Sequence, residues 1–228
     1  MTKLNTSRLT EAAGFGHIPG LNGLRALSVL IVIVAHMGFE HIVPGGFGVT
    51  VFFFISGFLI TRLLLAENEA KGRVKLSQFY MRRAIRLYPA LLFMVYLTAC
   101  AYVILGYGKP ALMEIAAAIG YFTNFYQVGS RIGGELPFMP WTHLWSLSVE
   151  EHFYLAFPLL VVVCRKNWRA LAAVLVAVII GAAAWRYHIL TGTNLPVADY
   201  NYMMTDARID SLAWGCLLSV LLHVGGTA

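Results

Sequence analysis

The chain has 228 residues, of which 59% are hydrophobic and only 12% charged, with a formal net charge of +6. A soluble domain carries about 25% charged residues. The composition therefore excludes a soluble globular fold and predicts an integral membrane protein, with room for one bundle and no separate soluble domain of useful size. The basic residues cluster at helix ends and loops, without the interleaved lysines and aromatics of a nucleic-acid platform. Their role is assigned to topology and to anionic lipid or phosphate, not to nucleic acid.

In chain order, residues 1–20 are polar and lack the apolar core of a signal peptide, so a cytoplasmic N-terminal tail is expected. The first span is predicted at about residues 24–38, with a Gly45-Gly46 turn closing the loop after it. A second span covers about 47–66. A basic segment follows, with Lys71, Arg73, Lys75, Arg82, Arg83 and Arg86. The third span is predicted at about 87–105, with Pro89 near its first turn, where proline is tolerated. Residues 110–127 are apolar but interrupted by Glu114, Thr123 and Asn124, and a Gly/Pro-rich loop is expected over 128–140. Further spans fall at about 143–164, 171–185 and 209–224.

The fold class is thus all-α, a polytopic transmembrane helix bundle of six or seven spans in a single domain, 1–228. Lys3 and Arg8 set the N-terminus in the cytoplasm, and two crossings return the 71–86 segment there. Arg165, Lys166 and Arg169 obey the same rule only if residues 110–127 do not cross fully. The amino-acid sequence is compatible with either six or seven spans.

Four constellations carry possible chemistry. Arg25 and His36 are eleven positions apart in an otherwise almost wholly apolar run. On a straight helix eleven residues turn about 1100°, which sets both on one stripe roughly 16 Å apart. Ionisable groups inside a membrane helix are costly and are functional by default. Histidine suits a general base; a snorkelling arginine and a histidine satisfied by a neighbouring helix is the alternative. Arg83 and Arg86, three apart with Tyr80 and Tyr88 at the interface level, either clamp a phosphate-rich ligand or form an ordinary positive flank.

Glu150 and Glu151 are adjacent, so they are expected to point about 100° apart and not to share one site. A carboxylate here either holds His36 in its productive tautomer or pairs with an arginine of another span. Arg208 and Asp210, at the start of the last span, are assigned a structural role. Gly45, Gly46 and Gly48 lack the strand-turn-helix context of a nucleotide loop, and Ser56-Gly57 is expected to permit close helix packing. Cys100, Cys164 and Cys216 show neither metal spacing nor a disulfide pattern, so buried cysteines and no metal site are expected.

Five stretches occur in order: IPGLNGLRALSVLIVIVAHMGF, GGFGVTVFFFISGFLITRLLL, FYMRRAIRLYPALL, LWSLSVEEHFYLAFPLL and DARIDSLAWGCLL. Together, over most of residues 18–220, they resemble the acyltransferase 3 family of membrane acyltransferases. The resemblance implies a catalytic arginine–histidine pair at Arg25 and His36, and donor-binding arginines at Arg83 and Arg86. It matches Trp145 and Glu150 to a tryptophan–glutamate motif. It also implies acyl-coenzyme A, commonly the acetyl form, as a donor reached from the cytoplasm, with no permanently bound cofactor. The implied acceptor is a hydroxyl of surface polysaccharide, lipopolysaccharide or a lipid-linked glycan. Family members usually have about ten membrane helices, so this bundle is expected to lack its C-terminal ones.

The expectation is a multi-pass O-acyltransferase of the bacterial inner membrane, in contact with membrane lipids. His36 would act as base or acyl relay, Arg25 would stabilise charge, and Glu150 would support the basic cluster. A non-enzymatic carrier of a glycan or acyl group, or an inactive fragment, remain as rivals.

Overall fold

A computed structural model describes residues 19–134, 140–193 and 195–226. The expected N-terminal tail and part of the Gly/Pro-rich loop lie outside the described residues. Among the described residues nine α-helices follow one another: α1 (Pro19–Val34), α2 (Gly45–Lys71), α3 (Leu76–Ile104), α4 (Leu112–Ile119), α5 (Thr123–Ile132), α6 (Trp145–Cys164), α7 (Trp168–Gly192), α8 (Val197–Met203) and α9 (Thr205–Gly226). A π turn, Ala35–Phe39, extends α1, and a 3-10 turn, Thr142–Leu144, leads into α6.

Among the described residues, six segments are long and apolar enough to cross a membrane. With the low charge content, they make the chain a multi-pass membrane protein of the all-α class. Helices α4 and α5 have 8 and 10 residues. At 1.5 Å per residue neither spans the roughly 30 Å of hydrocarbon. Residues 110–127 therefore supply no crossing helix, and the count among the described residues is six. Two candidate spans, α3 and the segment ending in α6, then lie between the basic residues 71–75 and 165–169, the even number that the positive-inside rule asks for.

Several expected boundaries shift for one reason: hydropathy marks where a helix is apolar, not where it is helical. Helix α3 begins at Leu76, eleven residues ahead of the expected span. Arg82, Arg83 and Arg86 are therefore on the helix itself, and Pro89 sits in its interior, not its first turn. The pair Gly45-Gly46 opens α2 instead of forming a loop turn. Residues 128–132, assigned to a loop, are the end of α5.

Two compact units divide the chain. The first holds residues 1–74, 157–181 and 209–228. Glycine governs its packing. A Cβ on Gly48 would stand 2.8 Å from the Ser28 carbonyl oxygen, and one on Gly45 would stand 2.7 Å from Ala35 Cβ. Helices α1 and α2 thus approach to backbone distance. Helix α2 meets α9 more closely still: a Cβ on Gly57 would lie 2.1 Å from the Leu212 oxygen, and one on Gly215 would lie 1.9 Å from the Phe54 oxygen. The Gly57 carbonyl accepts the Thr61 hydroxyl at 2.8 Å and the Cys216 thiol at 3.3 Å. Small residues at such crossings are the usual basis of helix association in lipid. The expectation for Ser56-Gly57 holds, and its partner glycine is Gly215. Cys216 is buried, while Cys100 and Cys164 are half-buried; all three are free.

The second unit holds residues 75–156 and 182–208. Its core sets Leu91 and Val95 of α3 against Ala118, Trp141 and Leu144. At its other side Trp185 Nε1 and Tyr200 hydroxyl both donate to Asp206 Oδ2, at 2.8 and 2.7 Å. Arg131 pairs with Asp199. Met204, in extended backbone, separates α8 from α9 and leaves Thr205 as the first residue of α9.

Overpacking a tight site costs about 1–3 kcal/mol. Gly57→Ala and Gly215→Ala are each expected to lower the unfolding midpoint of the purified protein in detergent. Gly181→Ala, where an added Cβ meets nothing within 4 Å, is expected to leave it unchanged or raised.

Candidate functional site

In the first unit Arg25 is half-buried, its guanidinium carbon 5.2 Å from the centre of the Phe52 ring. His36 is exposed and lies in the π turn, which contains Gly38 at φ 91. The straight-helix stripe therefore applies only as far as Val34. Wide turns of this kind are frequent at functional positions. His36 Nδ1 is 2.8 Å from the Val32 carbonyl oxygen. A carbonyl only accepts, so Nδ1 carries the proton and Nε2 is left as the basic nitrogen. The tautomer is thus set by the helix's own backbone. The carboxylate considered for that task in the sequence is not needed.

In the second unit the polar groups of α3 and α6 converge. Arg83 Nε donates to both oxygens of Glu151, at 2.9 and 3.1 Å, and Nη2 reaches Glu151 Oε1 at 2.5 Å. The same Nη2 is 4.0 Å from Glu150 Oε2. The guanidinium carbon sits 3.4 Å over the Tyr154 ring, and the Tyr154 hydroxyl donates to Glu150 Oε1 at 2.8 Å. This corrects the expectation that Glu150 and Glu151 do not share a site. Their Cα–Cβ bonds diverge, but the fork of one arginine is wide enough to meet both. Arg86 and Arg82 are exposed, with no ion pair among the described residues, whereas Arg83 is only 21% exposed.

Arg83 opens on a cavity of about 370 Å³, within the range of small-molecule sites. Tyr80, Tyr88, Tyr121 and Tyr154 give it aromatic walls, and Glu151 and His152 give it polar ones. Tyr80 is fixed by a 2.8 Å bond from its hydroxyl to the Leu155 carbonyl. That carbonyl neighbours the Tyr154 carbonyl, whose helical donor is missing at Pro158. Tyr88 and Tyr121 meet edge to face at 5.5 Å. Burial, then the Glu151 carboxylate and Tyr88, push the Tyr121 phenol up to about 12, so it stays a proton donor at neutral pH.

Two lining residues were not singled out by the sequence. Tyr121 reaches the cavity from the α4–α5 connection, which no helical spacing marks. His152 follows the two glutamates and reads in sequence as one more polar residue of the span. Trp145, matched by resemblance, is buried, its ring 4.8 Å from that of Tyr202. Arg208 lies 5.8 Å from the same Tyr202 ring. No cluster of metal-binding side chains occurs among the described residues.

These features define a polytopic helical membrane protein with a charged, tyrosine-walled cavity and a histidine of fixed tautomer. A family model described as an acyltransferase domain matches residues 18–224, and the chain belongs to that family. O-acetyltransferase OatA of Staphylococcus aureus strain NCTC 8325 / PS 47 is 33% identical over 225 residues, covering 94% of this chain and 36% of its own length. A further relative, SACOL0978 of strain COL, is 34% identical over 231 residues, covering 95% of this chain and 37% of its own. The chain thus spans little more than a third of the length of these relatives. No solved structure matches it.

Breaking a buried ion pair by removing one partner costs about 3–5 kcal/mol. Arg83→Gln is expected to destabilise the protein by an amount near the lower end, since Arg83 and Glu151 keep some exposure. The double variant Arg83→Gln/Glu151→Gln is expected to recover part of that loss. Unfolding midpoints of both in one detergent check the ordering.

Proposed function

We propose that the chain is an O-acyltransferase of a bacterial inner membrane, moving an acyl group, in the first place acetyl, from acyl-coenzyme A to a hydroxyl of a surface glycan. The reading is supported by membership of the acyltransferase family and by the names of the relatives. The observation that carries the chemistry is His36. Its Nδ1 is held by the Val32 carbonyl, so Nε2 is available to take the proton of an acceptor hydroxyl.

The reaction forms a carbon–oxygen bond and breaks the thioester carbon–sulfur bond. The hydroxyl proton passes to His36 Nε2 and from there to the leaving thiolate. Arg25, half-buried on the same helix, is assigned to stabilising the negative charge that develops on the carbonyl oxygen. In the second unit, the exposed guanidinium of Arg86 is assigned to the donor phosphates. Arg83 lines the cavity for the rest of the donor. Glu150, through Tyr154 and Arg83, is assigned to holding that cavity in shape. The acceptor is a polysaccharide, lipopolysaccharide or lipid-linked sugar.

General base catalysis contributes about 100- to 10,000-fold. His36→Ala is expected to lose at least that range of transfer from labelled acetyl-coenzyme A to glycan in membranes, with the protein still inserted. Full transfer by the variant would overturn the assignment. A charge-assisted hydrogen bond is worth about 1.5–3 kcal/mol. Arg86→Gln is therefore expected to raise the donor KM about 10- to 100-fold while kcat changes little. A non-enzymatic carrier would give no labelled glycan at all.

A further inference from the structure

The close contact of α2 and α9 at Gly57 and Gly215 does not continue toward the Lys71 end of the pair. Beyond it the two helices enclose a cavity of about 120 Å³, wholly within the first unit. Phe58, Arg62 and Leu65 line it from α2, and Ser219, Leu222 and His223 from α9. Spacings of three and four set each trio on one helix face. The glycine contact bounds the cavity on its deep side. On the other side His223 Nε2 lies 3.4 Å from Glu69 Oε1, and the Trp168 ring meets the imidazole edge to face at 5.8 Å. Glu69 is two residues from the end of α2, so the cavity opens near the boundary of hydrocarbon and water.

The wall is amphipathic. Its six side chains bring one guanidinium and no carboxylate. The Arg62 guanidinium carbon is 5.5 Å from the centre of the Phe58 ring. A guanidinium carries its N–H donors in its own plane, and contact with an aromatic face uses none of them. Ser219 is 2% exposed, and its hydroxyl finds no hydrogen-bond partner among the described residues. A buried hydroxyl left unbonded is costly, so a polar group belongs in this space. The remaining wall is apolar. Leu222, and Leu63 beside Arg62, are exposed, and exposed leucines on spanning helices face lipid. The mouth is therefore reached from the bilayer. Around it, residues 62–73 and 165–169 hold six Lys and Arg against two Glu. Trp168 joins the second of these segments to the rim.

We propose that this cavity binds an anionic phospholipid of the cytoplasmic leaflet. The phosphodiester enters between α2 and α9 and accepts hydrogen bonds from Arg62 and the Ser219 hydroxyl. The acyl chains stay outside, along Leu63 and Leu222. Basic pockets between membrane helices on the cytoplasmic side suit such headgroups. The volume admits a phosphate with its ester oxygens and leaves no room for a nucleotide. The proposal does not rest on the acyl-transfer reading.

The test titrates the full chain, purified in neutral detergent and stripped of lipid, with dioleoyl phosphatidylglycerol or dioleoyl phosphatidylcholine. Bound lipid is counted by native mass spectrometry. The parent is expected to bind phosphatidylglycerol several-fold more tightly than phosphatidylcholine. Arg62→Gln is expected to weaken phosphatidylglycerol binding about tenfold, the loss of one charge-assisted hydrogen bond, and Ser219→Ala about three- to fivefold. Arg62→Lys keeps the charge and is expected to retain most of the affinity. Arg169→Gln, exposed and outside the cavity, is expected to stay within about twofold of the parent. Ser219→Ala removes a single oxygen and decides the matter if Arg62→Gln does not fold. Unchanged binding in Ser219→Ala and in folded Arg62→Gln overturns the proposal. So does an equal loss in Arg169→Gln, which reports diffuse surface charge, and so does equal affinity for the two lipids. Inorganic phosphate and adenosine 3′,5′-bisphosphate, each in large excess, are expected to leave the lipid bound. Displacement by either assigns the cavity to a soluble phosphate and overturns the lipid assignment.

Discussion

The ion pair between Arg83 and Glu151 is the interaction on which the second unit depends. A guanidinium on a membrane helix must be answered by protein groups, because hydrocarbon offers none. Here the answer is unusually complete: two bonds from Nε, one from Nη2, a second carboxylate at 4.0 Å and an aromatic face beneath. Helix α3 must therefore extend well ahead of its apolar stretch, to bring Arg83 level with residues 150–154 of α6. The tyrosines around the pair then have fixed positions. Tyr154 is shared between the guanidinium and Glu150, and Tyr80 reaches past them to the Leu155 carbonyl. The cavity is the space this arrangement leaves.

Two histidines illustrate how partners decide roles. His152 has Nδ1 engaged by the Thr205 hydroxyl and its ring packed against Phe125, within a tight polar cluster. A histidine so satisfied holds its neighbours in place. His36 has one nitrogen engaged by its own helix and is otherwise exposed. Its remaining lone pair is the asset a proton acceptor needs. The same residue type thus serves as a strut in one unit and presents a reactive atom in the other.

The fold class was legible because 20-residue apolar runs have few alternatives in a chain this poor in charge. Residues 110–127 were ambiguous because eight and ten residues of moderately apolar helix give the same hydropathy as part of a span. Only their lengths decide the matter, and helix lengths depend on where Gly120 and Tyr121 break the chain. Arg25, His36, Arg83 and Glu150 stood out because each is expensive where it lies. What the sequence could not give was pairing. Spacing along α6 separates Glu150 from Glu151, while a long forked side chain from α3 reunites them. Tyr121 was invisible for a different reason: it reaches the cavity from a chain break at φ 58, and tyrosine is not a residue whose presence announces one.

The crossing of α2 and α9 at Gly57 and Gly215 bears on how the chain is assembled. Gly57 and Cys216, joined by a thiol–carbonyl contact, are 159 positions apart in sequence. At the usual pace of synthesis, about 5–20 residues per second, α2 waits roughly 8–30 s in the bilayer before its partner is made. During that interval the backbone around Gly57, built to lie against another backbone, has only lipid or α1 beside it. All of the second unit's first segment, with its charged pair, is produced in the meantime. The first unit is therefore begun first and closed last, and the glycine crossing is the step that completes it.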